Sequence, residues 1–372
     1  MVWPLPPIKW WISTYCKSLI SSMEKLAKIE FFAYDVMYPK ILYPWWDYKN
    51  SSIKKPFLSN SEVHEWINWY NPLSWIRAWR SITGEVLHIQ YWIRFLFPIV
   101  LTINLIARYS KKIPVIVTIH NVLPHEMSFW KIRMDKLVYK SASWFIVHST
   151  KNKEDLIKLI WDQKPIQVIP MGILPMSAKK ISKHEARTQL SLSNKKKILL
   201  FAGNIRAYKW LWITLDILKA LVDIDQEYIL IIAGKCWEDR SIYQNQIDVL
   251  WLWDYVIRMP WFISEIEMNQ VFCASDIQLL TYTHFDAQSA ALATWLDFNI
   301  PMIVSDLGWL TDVIQDRRFI IDIKNVLESA DQIKSVMLDL ENSIWYIIER
   351  KKEFSWDEIT KKTIKFYSDG IS

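Results

Sequence analysis

The sequence predicts an α/β protein built from two parallel-sheet domains in tandem, and three observations carry that prediction. Short runs rich in Val, Ile, Phe and Leu alternate with longer amphipathic stretches, the pattern of repeated βα units. The 372 residues, 51% of them hydrophobic, are enough for two ordinary domains and too many for one simple core. Midway, the polar, lysine-rich stretch "MSAKKISKHEARTQLSLSNKK" at 176–196 interrupts the strand runs and marks a domain boundary.

In the first half the strand candidates are "IEFFAYDV", "EVLHIQYW", "IPVIVTIHNV", "SWFIVHST" and "IQVIPMGI". In the second they are "KILLFAGNI", "YILIIAGK", "YVIRMPWF", "DIQLLTY", "PMIVSD" and "RFIIDI", each followed by a helical stretch or a short loop. Two Rossmann-like domains are the simplest arrangement. Such sheets bind ligands at the carboxyl ends of their strands, so the loops after these runs are where chemistry is expected. The apolar stretch at 91–107 carries Arg94 and Pro98 and reads as a buried helix rather than a membrane span.

Composition narrows the function. The net charge is +6 with both signs spread along the chain, so there is no basic tract of the kind that grips nucleic acid. A mildly basic surface suits phosphorylated ligands or an anionic membrane face. Cys16, Cys236 and Cys273 are scattered without metal-ligand spacing, which reads as reduced core thiols and a cytoplasmic protein; no signal peptide is recognisable at the start. One count is abnormal: the chain has 6 glycines and 23 tryptophans, where average usage gives roughly 26 glycines.

The order of short motifs resembles the family 4 glycosyltransferases of the GT-B fold nearly end to end. The resemblance rests on "PPIKWWIS" near the start, "VTIHNVLPHE" at 117–126, "FIVHS" at 145–149, "FAGNIRAYKWL" at 201–211, "ASDIQLLTYTHFDAQSAALAT" at 274–294, "PMIVSDLGWLTDVI" at 301–314 and "FSWDEITKKTIKFY" at 354–367. It implies two Rossmann-like domains facing a central cleft, an acceptor domain over 1–176, a nucleotide-sugar domain over 177–345 and a C-terminal helix within 346–372 crossing back to the first. In that helix Trp356, Ile359, Ile364 and Phe366 can share an apolar strip.

The same resemblance accounts for the tryptophans. Trp10, Trp11, Trp210, Trp251, Trp253 and Trp309 stand where the family has glycine. A strand-to-helix turn that brings backbone close to a ligand wants glycine, because no Cβ then blocks the approach. Some bacterial lineages read UGA as glycine, and reading it as tryptophan produces this substitution wholesale. Trp356 and Trp92 are expected to be genuine.

The site residues follow one by one. A nucleotide-sugar transferase must hold a diphosphate whose charge grows as the sugar leaves, so cations and backbone N–H donors should converge there. Asn204, Arg206 and Lys209 occupy the family's phosphate turn, with Gly203 and Trp210 at its glycine positions and Trp10 and Trp11 at those of the first loop. The family's pair of glutamates falls on Asp286, a shorter carboxylate, and on Thr294, which removes the ribose-binding acid. The amides of Gln288, Ser289 and Ala290 open a helix and can cap a phosphate. His120, at the end of "VTIHN", is implied to lie close to the transferred sugar, with His125 and Glu126 on the acceptor side; His148 reads as a packing or hydrogen-bonding residue.

The implied activity is retaining transfer of a sugar from a UDP- or GDP-linked donor to a glycan or polyprenyl-linked acceptor in cell-surface polysaccharide synthesis. His120 and Asp286 would orient substrate and stabilise charge while the leaving phosphate takes the acceptor's proton. No cofactor beyond the donor and no metal is implied, since no DxD follows a strand and no His/Cys cluster occurs. Peripheral attachment to the anionic inner membrane face through Lys17, Lys25, Lys28, Lys111 and Lys112 is expected, and contact with nucleic acid is not. A nucleotide-sugar epimerase or a phosphorylase of the same fold, or an inactive GT-B binding protein, are the alternatives; the phosphorylase lacks an identifiable pyridoxal lysine.

Overall fold

The computed structural model describes residues 1–5, 8, 11–37, 61–122, 129–160, 164–176, 178–259, 261, 263–284 and 290–371. The chain divides into two compact units, one formed by Met1–Leu174 with Phe354–Ser372 and the other by Pro175–Phe285 with Ala291–Glu353. The C-terminal segment of the first unit begins at Phe354.

The first unit is a seven-stranded sheet. Its strands are β1 (Val2–Trp3), β2 (Ile29–Val36), β3 (Ser61–Asn68), β4 (Leu87–Tyr91), β5 (Val115–Ile119), β6 (Trp144–Val147) and β7 (Ile166–Val168), in the spatial order β3-β2-β1-β4-β5-β6-β7. All neighbours pair in parallel. Every residue of β4 and β5 is buried; β5 accordingly reads as a nearly unbroken apolar run, while β4 alternates apolar residues with His88 and Gln90. Strand β3 was not among the sequence candidates. It lies at the sheet edge and alternates exposed Glu62, Val63 and Glu65 with partly covered residues, so it lacks the apolar density of a central strand. Strand β1 was missed too, because two residues are too few to show a period.

Helices cover this sheet through spaced apolar residues. The helix Trp11–Met23 buries Ile12, Tyr15, Cys16, Leu19, Ile20 and Met23, a stripe with the i, i+3, i+4 spacing of one helix face. Within 91–107 the structure has the short helix Phe97–Ile106, with Pro98 in its first turn where the missing N–H costs nothing. The C-terminal helix Trp356–Ile371 belongs to this unit. Its buried stripe is Ile359, Thr360, Thr363 and Phe366, with Ile364 half-buried. Trp356 donates its indole N–H to the Ile173 carbonyl at 2.6 Å, and the ring lies where a Cβ on Gly172 would come within 2.8 Å of it. Glycine at 172 is thus a packing requirement.

The second unit is a six-stranded parallel sheet of β8 (Lys197–Ala202), β9 (Tyr228–Ala233), β10 (Val256–Met259), β11 (Ile277–Leu280), β12 (Met302–Ser305) and β13 (Ile320–Ile321), in the order β10-β9-β8-β11-β12-β13. The strand order reverses at β8, so the crevice between β8 and β11 is the switch point where such sheets take ligands. At the opposite end of β8, Asp276 receives Arg187 at 2.8 Å, Lys183 at 2.6 Å and the Ile198 N–H at 2.7 Å, which fastens the linker helix Lys183–Gln189 to the sheet. The lysine-rich boundary stretch therefore folds onto the second unit.

Candidate functional site

The carboxyl end of β8 leads through Gly203 into a turn and then the helix Leu211–Ile224. Gly203 has φ +90° and Gly234, the corresponding residue after β9, has φ +145°. A Cβ on Gly234 would lie 2.2 Å from the Gly203 carbonyl oxygen, so the two turns abut through bare backbone. The Gly203 N–H donates to Ala233 at 2.9 Å and the Ile205 N–H to Lys235 at 2.9 Å, extending the β8/β9 pairing into the turns.

Lys209 occupies this turn. It is 5% exposed, and its ammonium sits over Gly203, 3.0 Å from where a Cβ would be. Its hydrogen bond is to the Ala202 carbonyl at 3.3 Å, and the rings of Tyr282 and Trp295 lie 5.3 and 5.8 Å away. Among the described residues no carboxylate pairs with it. Burial, and then the charge of Arg206, lower its pKa to about 7. Thr281 holds the turn from below, donating to the Lys209 carbonyl at 2.9 Å and bonding Thr214 at 2.8 Å. Among the described residues the buried ammonium has one carbonyl and two aromatic faces as partners, an arrangement with room in its coordination for an anion.

The other two predicted donors are outside this pocket wall. Arg206 is exposed, its guanidinium 5.5 Å over the Trp237 ring, and Asn204 accepts the Trp237 indole N–H at 3.1 Å. Trp210 follows Lys209 with φ 47° and ψ 51°, and no side chain caps the helix that it opens. Trp251 also has positive φ, at 58°, so two tryptophans assigned to glycine positions adopt left-handed backbone. Trp309 instead lies buried within the helix Gly308–Ile314, and Trp253 is half exposed.

In the first unit His120 follows β5 and is 3% exposed. Its Nε2 is 2.5 Å from Gln90 Oε1, and its Nδ1 is 2.9 Å from His148 Nε2. His148 Nδ1 donates to the Ile169 carbonyl at 2.8 Å. Gln90 Nε2 lies 3.3 Å from His88 Nε2, which is also 2.6 Å from the Thr118 hydroxyl, and His88 Nδ1 meets the Tyr367 hydroxyl of the C-terminal helix. Burial holds His88 and His120 well below the usual histidine range and His148 down to about 4. Both ring nitrogens of His120 are thus engaged within the protein, and Trp11 and Tyr15 pack edge-on against its ring at 5.1 and 5.2 Å. The imidazole offers a wall here rather than an unpaired nitrogen.

Of the remaining sequence-predicted residues, Trp10, His125, Glu126, Asp286, Gln288 and Ser289 lie outside the described residues. Ala290 begins the helix Ala290–Trp295, which also carries Thr294, half-buried. The structure adds partners that were missed: Tyr282 and Trp295 around Lys209, and Gln90 and His88 behind His120. A signal for the second pair was present, since "LHIQY" and "VTIH" each put two polar residues at i, i+2 on one face of an otherwise apolar strand. Among the described residues, no group of three or more His, Cys, Asp or Glu is placed to hold a metal ion, and no helix is long and apolar enough to cross a membrane.

Comparison with known proteins agrees with the fold. Residues 40–175 match the family Glycosyltransferase Family 4 and residues 182–353 match Glycosyl transferases group 1. No curated protein is significantly similar in sequence. Among solved structures, Anabaena HepE in complex with UDP is similar at 16% identity and a TM-score of 0.66, over 95% of this chain and 96% of that one. Sucrose-phosphate synthase from Thermosynechococcus elongatus follows at 14% and 0.63, over 96% of this chain and 92% of that one. The E. coli trehalose-6-phosphate structure bound with UDP-2-fluoro glucose is similar at 12% and 0.61, over 99% and 97%. At these identities the likeness is one of fold.

Proposed function

The chain is a glycosyltransferase of GT-B fold, and we propose that it moves a sugar, with retention of configuration, from a UDP- or GDP-linked donor to a glycan or polyprenyl-linked acceptor of cell-surface polysaccharide synthesis. The observation that supports this reading best is Lys209, a buried ammonium above a glycine turn at the switch point of the sheet, held by one carbonyl. In the reaction the bond from the anomeric carbon to the diphosphate breaks and a bond to the acceptor oxygen forms, while the departing phosphate takes the acceptor's proton. Lys209 opposes the charge that grows on that phosphate, and Arg206, Asn204 and the amides of Gln288 to Ala290 add to it. Asp286 faces the sugar and His120 shapes its pocket; Thr294 stands at the ribose position, with His125 and Glu126 toward the acceptor.

Tryptophan at 10, 11, 210, 251, 253 and 309 stands for glycine in this reading, through UGA read as tryptophan. The left-handed backbone of Trp210 and Trp251 favours it, because a bulky residue there carries strain that glycine does not. UGG codons at these positions would remove the basis of the idea. The functional experiment uses the glycine-form protein: release of UDP or GDP from a panel of nucleotide-sugars, with and without a lipid-linked acceptor. Turnover of at least one donor with the anomeric configuration kept is the expected result. Tight nucleotide binding without turnover would instead favour the inactive binding protein, which the loss of the second carboxylate at Thr294 suggests. Interconversion of the sugar on its nucleotide would favour the epimerase. Membrane attachment through Lys17, Lys25, Lys28, Lys111 and Lys112 predicts sedimentation with anionic liposomes at low salt and release as salt rises.

A further inference from the structure

We propose that Gln90 and His148 are positioning residues that hold His120 neutral with its proton on Nδ1, and so exclude it from acting as a base. One buried chain of hydrogen bonds fixes where the protons sit. The Ile169 carbonyl only accepts, so His148 Nδ1, 2.8 Å away, carries a proton. A neutral His148 then has a bare Nε2, and His120 Nδ1, 2.9 Å from it, must donate. His120 Nε2 is left with a lone pair, and the group 2.5 Å away must donate to it. Only the amide end of Gln90 can do so.

A half-turn of the Gln90 carboxamide exchanges its two ends, which differ only in which atom is nitrogen. With the amide toward His120, the Gln90 oxygen meets His88 Nε2 at the 3.3 Å contact, and His88 Nε2–H also reaches the Thr118 oxygen at 2.6 Å. His88 Nδ1 then accepts from the Tyr367 hydroxyl. Every ring nitrogen in the chain then has a partner of the right kind, and no net charge is buried. The opposite orientation puts the oxygen on His120 Nε2 and demands a proton there. The 2.9 Å contact between His120 and His148 must then be either two opposed lone pairs or an imidazolium. All three histidines are 3% exposed or less, and an imidazolium in that setting has no compensating carboxylate among the described residues. The groups facing the chain from the packed elements are Tyr15 of Trp11–Met23, Tyr367 of Trp356–Ile371 and the Met1 amino group, none of which supplies a negative charge at neutral pH.

The consequence for the reaction rests on His120 lining the sugar pocket, as proposed above. With its one lone pair held by an amide, His120 cannot take the acceptor's proton, which leaves that task to the departing phosphate. The tautomer and the reaction are tested separately. Nitrogen-detected NMR of the histidine-labelled full chain should show His120 protonated at Nδ1 and bare at Nε2, with neither His120 nor His148 titrating from pH 8 to roughly 5.5. A proton on His120 Nε2, or titration of either ring near the free histidine value, overturns the proposal whether or not any donor is turned over. Gln90→Glu replaces the donor with a group that only accepts. It should move the proton to His120 Nε2, draw a second proton into the pair at neutral pH, and lower kcat about tenfold, with the donor KM changed less than about twofold and a new limb in the kcat–pH profile. Gln90→Met serves where that variant fails to fold, since it withdraws the donor without adding charge: His148 should still hold the proton on His120 Nδ1, while the His120 Nε2 resonance shifts to that of a lone pair without a donor. Unchanged His120 protonation in folded Gln90→Glu, or an unshifted Nε2 resonance in Gln90→Met, overturns the role of Gln90, and an unchanged pH profile in Gln90→Glu overturns its link to the reaction. An enzyme that turns over no donor, with the Nδ1–H tautomer intact, refutes the functional reading alone.

Discussion

The carboxyl ends of the two sheets treat buried polar groups in opposite ways. In the first unit His88, Gln90, Thr118, His120 and His148 are joined so that each ring nitrogen has a partner. In the second, Lys209 is also buried, yet among the described residues its ammonium has one hydrogen bond, to Ala202. A satisfied neutral network fixes shape, since any rotation breaks several bonds at once. An under-satisfied cation fixes affinity, because the desolvation already suffered makes an incoming anion worth more than it would be in water. The tryptophans differ in the same sense. Trp356, beside Tyr15 of the first unit, has its N–H partnered and a glycine opposite its ring, while Trp210 in the second holds left-handed backbone at an uncapped helix start.

Each side of that comparison can be broken by substitution. The largest effect is expected for the tryptophans. Trp356→Ala should cost about 3 kcal/mol of unfolding free energy in a urea titration, the low end of the scale for a large packed aromatic removed. Trp210→Gly should instead gain about 1–2 kcal/mol by relieving the left-handed backbone. Loss of stability in both variants would mean that Trp210 is a native packing residue.

Next is Lys209→Met, which keeps the length and removes the charge. Turnover should fall on the order of a hundredfold with less change in KM, because the ammonium matters most once charge has developed on the leaving diphosphate. Arg206→Ala should cost less, about tenfold, since its guanidinium is exposed and stacked on Trp237. A larger loss at Arg206 would reverse the ranking that burial implies.

The smallest effect is a pH dependence. With its pKa lowered to about 7, Lys209 in the free protein loses its proton as pH rises from 6 to 8. A bound diphosphate raises that pKa, so binding takes up a proton above pH 7 and affinity for UDP should weaken by up to about tenfold per pH unit there, levelling below pH 7. Calorimetry in buffers of different ionisation enthalpy measures the uptake directly. The sign for stability is opposite: the depressed pKa costs stability in full below about pH 7, and that cost disappears as pH rises toward the ordinary lysine value. The dependence should vanish in Lys209→Met, whereas a Kd independent of pH in the wild type would place the cation away from the phosphates.

Much of this was legible in the sequence, and the reason is local. Apolar runs broken by amphipathic stretches are enough to specify parallel strands with covering helices, because backbone periodicity and burial act over a few residues. On that basis β2 and β4 to β13 were readable, as was the lysine in a glycine turn after β8. The edge strand β3 and the two-residue β1 were not, since an exposed edge needs no apolar pattern and Val2–Trp3 is cut short by Pro4. The tertiary structure alone decided which polar atoms meet. Gln90 and His120 are neighbours only through the register of β4 on β5, His88 and Tyr367 are 279 residues apart, and the encirclement of Lys209 by Tyr282 and Trp295 comes from strand order and a returning helix. Whether a histidine is engaged or a lysine left short of partners is a matter of these long-range contacts. The residue type sets what a side chain can do, and desolvation and hydrogen-bond geometry at the folded position set what it does.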